Sequence, residues 1–142
     1  MALLLVFIIM QFFRIDKTNP DFDASKDLLY MAKPEAKVTQ LLKDACYDCH
    51  SYEVEYPWYT NIAPVSWWIK GHINHGQEHC NYSTWGLQTP EDANHNIEEN
   101  IERLENKSMP LGSFKWNHPE ARISDEERQI LIEFFNELKV IR

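Results

Sequence analysis

Hydrophobic positions along the chain form one unbroken block and then a series of helical stripes. Residues 1–13 read MALLLVFIIMQFF, with Gln11 as the polar interruption. Further on, Val38, Leu41, Leu42 and Ala45 recur at the spacing of one helical face. Pro34 suits the first turn of that helix, and Glu35 suits its positive end. Pro64 can open a second helix through Trp67, Trp68 and His72 toward His75. Thr89-Pro90-Glu91-Asp92 combines a cap, a proline at the first helical position and acids in the first turn. Ala93, Ile97, Ile101 and Leu104 form the stripe of that helix, which ends near Lys107, before Ser108-Met109-Pro110. Ser124-Asp125-Glu126-Glu127 is a capping box, and Ile130, Leu131, Phe134, Phe135 and Leu138 then give a wide buried face. Residues 51–62, 81–89 and 111–123 read as loops. No β-alternation and no internal repeat interrupt this pattern, which predicts an all-α domain with long loops.

The first block sets the expected domain organisation. Thirteen apolar-rich positions fit the apolar region of an export signal better than a full span, which needs about 20 residues. No basic residue precedes the block, no small-residue cleavage site follows it, and no lipid-attachment cysteine follows it. An uncleaved signal anchor over residues 1–13 is the expectation, with a true start a few residues upstream. Arg14 and Lys17 just after the block favour the opposite orientation by the positive-inside rule. A buried amino-terminal core helix is the alternative. Residues 14–33, with mixed charge, two Asp-rich turns and Asn19-Pro20, read as a linker. Residues 34–142 form the folded domain.

The chemistry sits where the first domain helix ends. Cys46-Tyr47-Asp48-Cys49-His50 matches C-x-x-C-H, the attachment motif of a c-type haem. Two thiols separated by two residues reach both vinyl groups on one side of a haem, and the next residue, His50, can bind the iron. By the chain's own composition a chance match is expected about 0.003 times. Two other readings use the same residues. A redox dithiol would want a βαβ context. A zinc site would need Cys46, Cys49, His50 and Cys80 together.

For the second axial position Met109 is the candidate, because it alone of the methionines falls in a loop of the folded domain, and Pro110 stiffens the chain after it. A thioether favours ferrous iron and raises the potential. Met109 is equally well read as an apolar plug of its loop. The rival ligands are His72, His75 and His79, at three- and four-residue spacing, and His118 in the loop near Met109.

Composition narrows the partners. A net charge of −8 and a pI near 5.2 argue against nucleic acid and suit a basic redox partner protein. Three cysteines are not a disulfide framework. Five Trp, six Tyr and seven Phe fill cores in any protein and also suit the walls of a porphyrin pocket.

The segments CYDCHS, YPWYTNIAPVSWWIKGHIN, NYSTWG, SMPLGSF and HPEARISDEER together resemble the small bacterial haem-binding domain family related to class I cytochromes c, over about residues 29–138. The resemblance implies a cytochrome c-like fold, with a first helix ending at the motif and a last helix packed across it. It implies one covalent haem c on Cys46 and Cys49, His50 as the proximal ligand and Met109 as the distal one. It also implies a downstream proline carbonyl that accepts the other imidazole proton, for which Pro64 is the candidate, and a pocket lined by Trp58, Trp67, Trp68 and Trp85. Cys80 and the extra His75 and His79 depart from the family pattern, and Cys80 is read as a free buried thiol. The expected function is electron transfer by a non-enzymatic, periplasmic protein anchored to the inner membrane. A haem enzyme or gas sensor with an open sixth position is the alternative.

Overall fold

A computed structural model describes residues 1–141, with side-chain surroundings described through Lys139. Among the described residues the regular structure is helical throughout. In chain order the α-helices are α1 (Ala2–Met10), α2 (Leu28–Ala32), α3 (Ala36–Leu42), α4 (Asp48–His50), α5 (Val65–His79), α6 (Pro90–Glu105), α7 (Phe114–Asn117) and α8 (Asp125–Ile141). A wide π-type turn, Lys43–Tyr47, joins α3 to α4, so one continuous rod leads into the motif.

The caps behave as their chemistry dictates. Thr89 Oγ1 accepts the Asp92 amide at 3.2 Å. The Ser124 hydroxyl accepts the Glu127 amide at 3.1 Å, while the Glu127 carboxylate accepts the Ser124 amide at 3.0 Å. Each such cap satisfies a helix amide that has no partner within its own helix.

α8 packs on α6 and α3. The core between them contains Leu42, Ile97, Leu131 and Phe135, each less than 2 % exposed. The predicted stripe of the first domain helix is buried at all four positions, Val38, Leu41, Leu42 and Ala45. Each large side chain removed from water in this way contributes roughly 1.5–3 kcal/mol.

Residues 14–33 differ from a free linker. Asp23 caps a short 3₁₀ turn, Ala24–Lys26, and Asp27 caps α2. Leu28 is wholly buried, and Asp27 is nearly so. Asp27 Oδ1 accepts both the Leu29 amide at 2.8 Å and the Tyr47 hydroxyl at 2.9 Å. The Asp-rich turns are helix caps, and the Leu28-Leu29 pair that follows gives them an apolar face to dock.

α1 has no buried residue. Among the described residues no helix is long and apolar enough to cross a membrane.

Candidate haem site

α4 ends the rod at His50, and α5 crosses directly behind it. The crossing is close because of Gly76. A Cβ on Gly76 would lie 2.5 Å from the Cys49 carbonyl oxygen, so only hydrogen fits there. Gln77 Nε2 ties the same stretch of α5 to the Ser51 carbonyl at 2.6 Å.

α5 then stops at Cys80, which leaves the helix in an extended conformation (φ −148°, ψ 114°). That change turns its carbonyl onto the motif, and His50 Nδ1 lies 2.9 Å from the Cys80 oxygen. A carbonyl can only accept, so Nδ1 carries the proton and Nε2 keeps its lone pair. Burial lowers the His50 pKa, against the opposing pull of the Cys80 and Gly76 carbonyls. The ring is therefore held neutral and oriented, the form in which imidazole binds a metal.

His50 opens onto a cavity of about 400 Å³. Cys46 and Cys49 wall the same cavity, and Met109, Pro110 and Leu111 wall it as well. Leu104, Phe114, Ile123 and Phe135 supply apolar lining. Its volume lies in the range of cofactor pockets.

Burial pushes all three thiols, Cys46, Cys49 and Cys80, up to about 12. These are neutral thiols, unlike the depressed cysteine of a redox dithiol. Among the described residues no three His, Cys, Asp or Glu side chains converge to hold a metal ion, so the arrangement does not match the zinc reading. Cys80 is buried and free, and its sulfur accepts Asn100 Nδ2 at 3.7 Å.

Met109 is positioned through its backbone. Two residues beyond α6, Lys107 lies in the left-handed region (φ 60°), which turns the chain back. The Met109 amide donates to the Arg103 carbonyl at 3.3 Å. The Met109 carbonyl accepts Arg128 Nη1 at 2.9 Å, and the same nitrogen donates to the Leu104 carbonyl at 3.2 Å. Arg128 is 7 % exposed, with Asp125 3.9 Å from its Nε. Its charge serves to pin the loop against α6.

Several expected roles fall elsewhere. Pro64 does not serve His50. Its carbonyl accepts the Trp67 and Trp68 amides at 3.1 and 3.2 Å, as the opening of α5 requires. Trp85 is 2 % exposed in the core beside Tyr82, away from the cavity lining. Trp58 is 74 % exposed, and the Trp67 Nε1 donates to the Phe13 carbonyl at 2.7 Å. Neither lines the cavity. Trp68 lines a smaller adjoining cavity of about 100 Å³, which shares Cys49, His72, Leu111 and Phe114 with the larger one.

The histidines separate in the same way. His75 and His79 sit exposed at the rim, edge to face at 4.2 Å. His118 stacks on Phe114 at 4.1 Å and lies between the Tyr59 hydroxyl (2.7 Å) and Glu120 (2.9 Å). His72 lines both cavities, and its buried Nε2 has no hydrogen-bond partner among the described residues. Buried polar atoms are nearly always paired, and this one sits where a bound group would supply the contact.

The sequence pattern missed Gly76, the Cys80 carbonyl and Arg128. A glycine inside a helical pattern is itself a signal of close packing. The other two depend on backbone direction. The donor set, the neutral imidazole, the apolar lining and the orphaned His72 nitrogen all fit a haem.

No curated protein and no solved structure matches this chain. A family model does, the haem-binding domain, over residues 5–137. That match covers nearly the whole chain and includes every residue of the cavity, so the protein belongs to the haem-binding domain family.

Proposed function

We propose that this is a monohaem c-type cytochrome of the periplasm, with a cytochrome c-like arrangement of its helices, that carries electrons and catalyses no reaction of its own. Cys46 and Cys49 would hold the haem as thioethers, and His50 and Met109 would supply ligands to its iron. The observation that carries this reading is the bond from His50 Nδ1 to the Cys80 carbonyl. It leaves the basic Nε2 on a ring that shares its cavity with both thiols and with Met109.

Bound in this way, haem supplies a one-electron couple. The chain's own residues exclude water with Phe114, Phe135 and Leu104, orient the imidazole through Cys80 and hold Met109 through Arg128. The net charge of −8 suits a basic redox partner. The wholly apolar α1 attaches the protein to the inner membrane.

Mass spectrometry under denaturing conditions tests this on protein matured with haem-attachment machinery. The expected result is one haem retained per chain, with little or none retained by Cys46→Ala or Cys49→Ala. A chain that releases its haem on denaturation overturns the covalent assignment. The weak red charge-transfer band of methionine ligation is expected in the oxidised protein and is lost in Met109→Ala, with the haem still attached and a lower potential.

The orphaned His72 nitrogen and the adjoining cavity favour one second reading, a gas sensor or peroxidase-like enzyme with a labile sixth position. A high-spin spectrum and carbon monoxide binding without denaturant would select it.

A further inference from the structure

Much of the exposed apolar surface lies in α1 and where that helix meets the domain. In α1, Leu3, Leu4, Phe7 and Ile9 are 86, 63, 44 and 49 % exposed. A helix at the surface of a water-soluble domain keeps a polar face, whereas one that is apolar all round belongs in a core or in lipid.

The end of α1 is fixed to the domain. Gln11 Nε2 donates to the Ala63 carbonyl at 3.0 Å, and its Oε1 accepts the Ala63 amide at 3.0 Å. Trp67 Nε1 donates to the Phe13 carbonyl at 2.7 Å, and Lys17 Nζ donates to Asn61 Oδ1 at 2.7 Å. The residues reached, 61–67, open α5.

That opening is itself apolar and exposed at Ile62, Val65, Trp67 and Trp68. At about 100° per residue, Val65, Trp67 and Trp68 fall within an arc of about 160°, opposite Ser66, which is buried. With Ile62 just ahead of the helix, they form an exposed apolar collar on the outward side of its first turn.

We propose that this collar is a lipid-contacting surface. The folded domain lies against the bilayer interface through Ile62, Val65, Trp67 and Trp68, at the level where α1 leaves the hydrocarbon. The proposal rests on the membrane attachment stated above and adds that the domain is oriented by a second contact.

Three observations favour lipid as the occupant. The collar is continuous, through the bonds at Gln11 and Phe13, with a helix that has no polar face. Tryptophan rings favour the headgroup level, and the Trp67 N–H is satisfied there by the Phe13 carbonyl. Arg14, Lys17 and Lys70 lie at or near the same end and outnumber Asp16 among them, in an otherwise acidic chain, with the two lysines over the Tyr56 ring at 5.9 and 5.6 Å. Such a local positive group suits anionic headgroups.

The experiment uses the full haem-loaded chain with vesicles of phosphatidylcholine and phosphatidylglycerol that carry a diazirine lipid. After flotation and illumination, the labelled peptides are mapped. The expected result is lipid label both in residues 1–13 and in residues 58–68. Ile62→Glu should lower the label in 58–68 several-fold while leaving that in 1–13 in place.

Label confined to residues 1–13 overturns the collar and leaves the anchor standing. Failure to float with vesicles overturns both. A protein–protein cross-link through 58–68 in place of lipid label also overturns the collar, because it assigns the surface to another chain.

Discussion

The two ends of α5 are built for opposite purposes. At the carboxyl-terminal end Ile73, Gly76 and Cys80 are buried, and the backbone lies against Cys49 and His50. At the amino-terminal end Val65, Trp67 and Trp68 are exposed. Gly71, between them, has no atom within 4 Å of a would-be Cβ. One helix thus braces the motif with its last two turns and presents a surface with its first. In the brace, side-chain size is limited by contact. At the surface it is not, and large apolar residues there call for a surrounding that the domain does not supply.

Substitutions along this one helix separate the two regimes. Gly76→Ala should have the largest effect. Its methyl group would meet the Cys49 carbonyl oxygen at 2.5 Å, a backbone atom that cannot swing away, and stability should fall by about 3 kcal/mol. Thermal or denaturant unfolding measures this, and a perturbed haem spectrum should accompany it. A neutral Gly76→Ala would mean that α5 does not cross the motif this closely. Gln77→Ala removes the 2.6 Å bond to the Ser51 carbonyl and should cost about 1 kcal/mol in the same measurement.

Gly71→Ala should act in the other direction. With open space at its Cβ, the better helix former should raise stability by about 0.5–1 kcal/mol. If both glycine variants destabilise alike, the contrast between the two ends fails. Trp67→Phe should have the smallest effect on unfolding, about 0.5 kcal/mol, because it deletes one solvent-accessible hydrogen bond, that to the Phe13 carbonyl. Its readout is faster hydrogen exchange or proteolysis in residues 11–17.

The helices and the motif were legible in the sequence because they depend on local rules. Thr89 and Ser124 cap the helices they were expected to cap, and Val38, Leu41, Leu42 and Ala45 are all buried. Cys46, Cys49, His50 and Met109 meet on one cavity, although about 60 residues of chain separate His50 from Met109.

The partner of His50 was not legible. Pro64 was expected to accept its proton, but the Pro64 carbonyl is taken by the first turn of α5. Cys80 accepts instead, because it leaves the helix in an extended conformation, and no residue type announces such a change of direction. The tryptophans show the same limit. Trp58 and Trp85 have the same ring, yet one is 74 % and the other 2 % exposed, which only the tertiary fold decides. Residues 14–33 look like a linker because their acids suggest solvent, whereas Asp23 and Asp27 are caps.

The wide turn Lys43–Tyr47 has a consequence for comparing this chain with others. A π-type turn is the trace of one extra residue in an α-helix. It lets Val38, Leu41 and Leu42 keep their register toward the core while Cys46, Cys49 and His50 take a different one toward the cavity. A relative lacking the extra residue would need a one-residue gap between its core stripe and its C-x-x-C-H. An ungapped alignment would turn one of the two by about 100° and assign its residues to the wrong face.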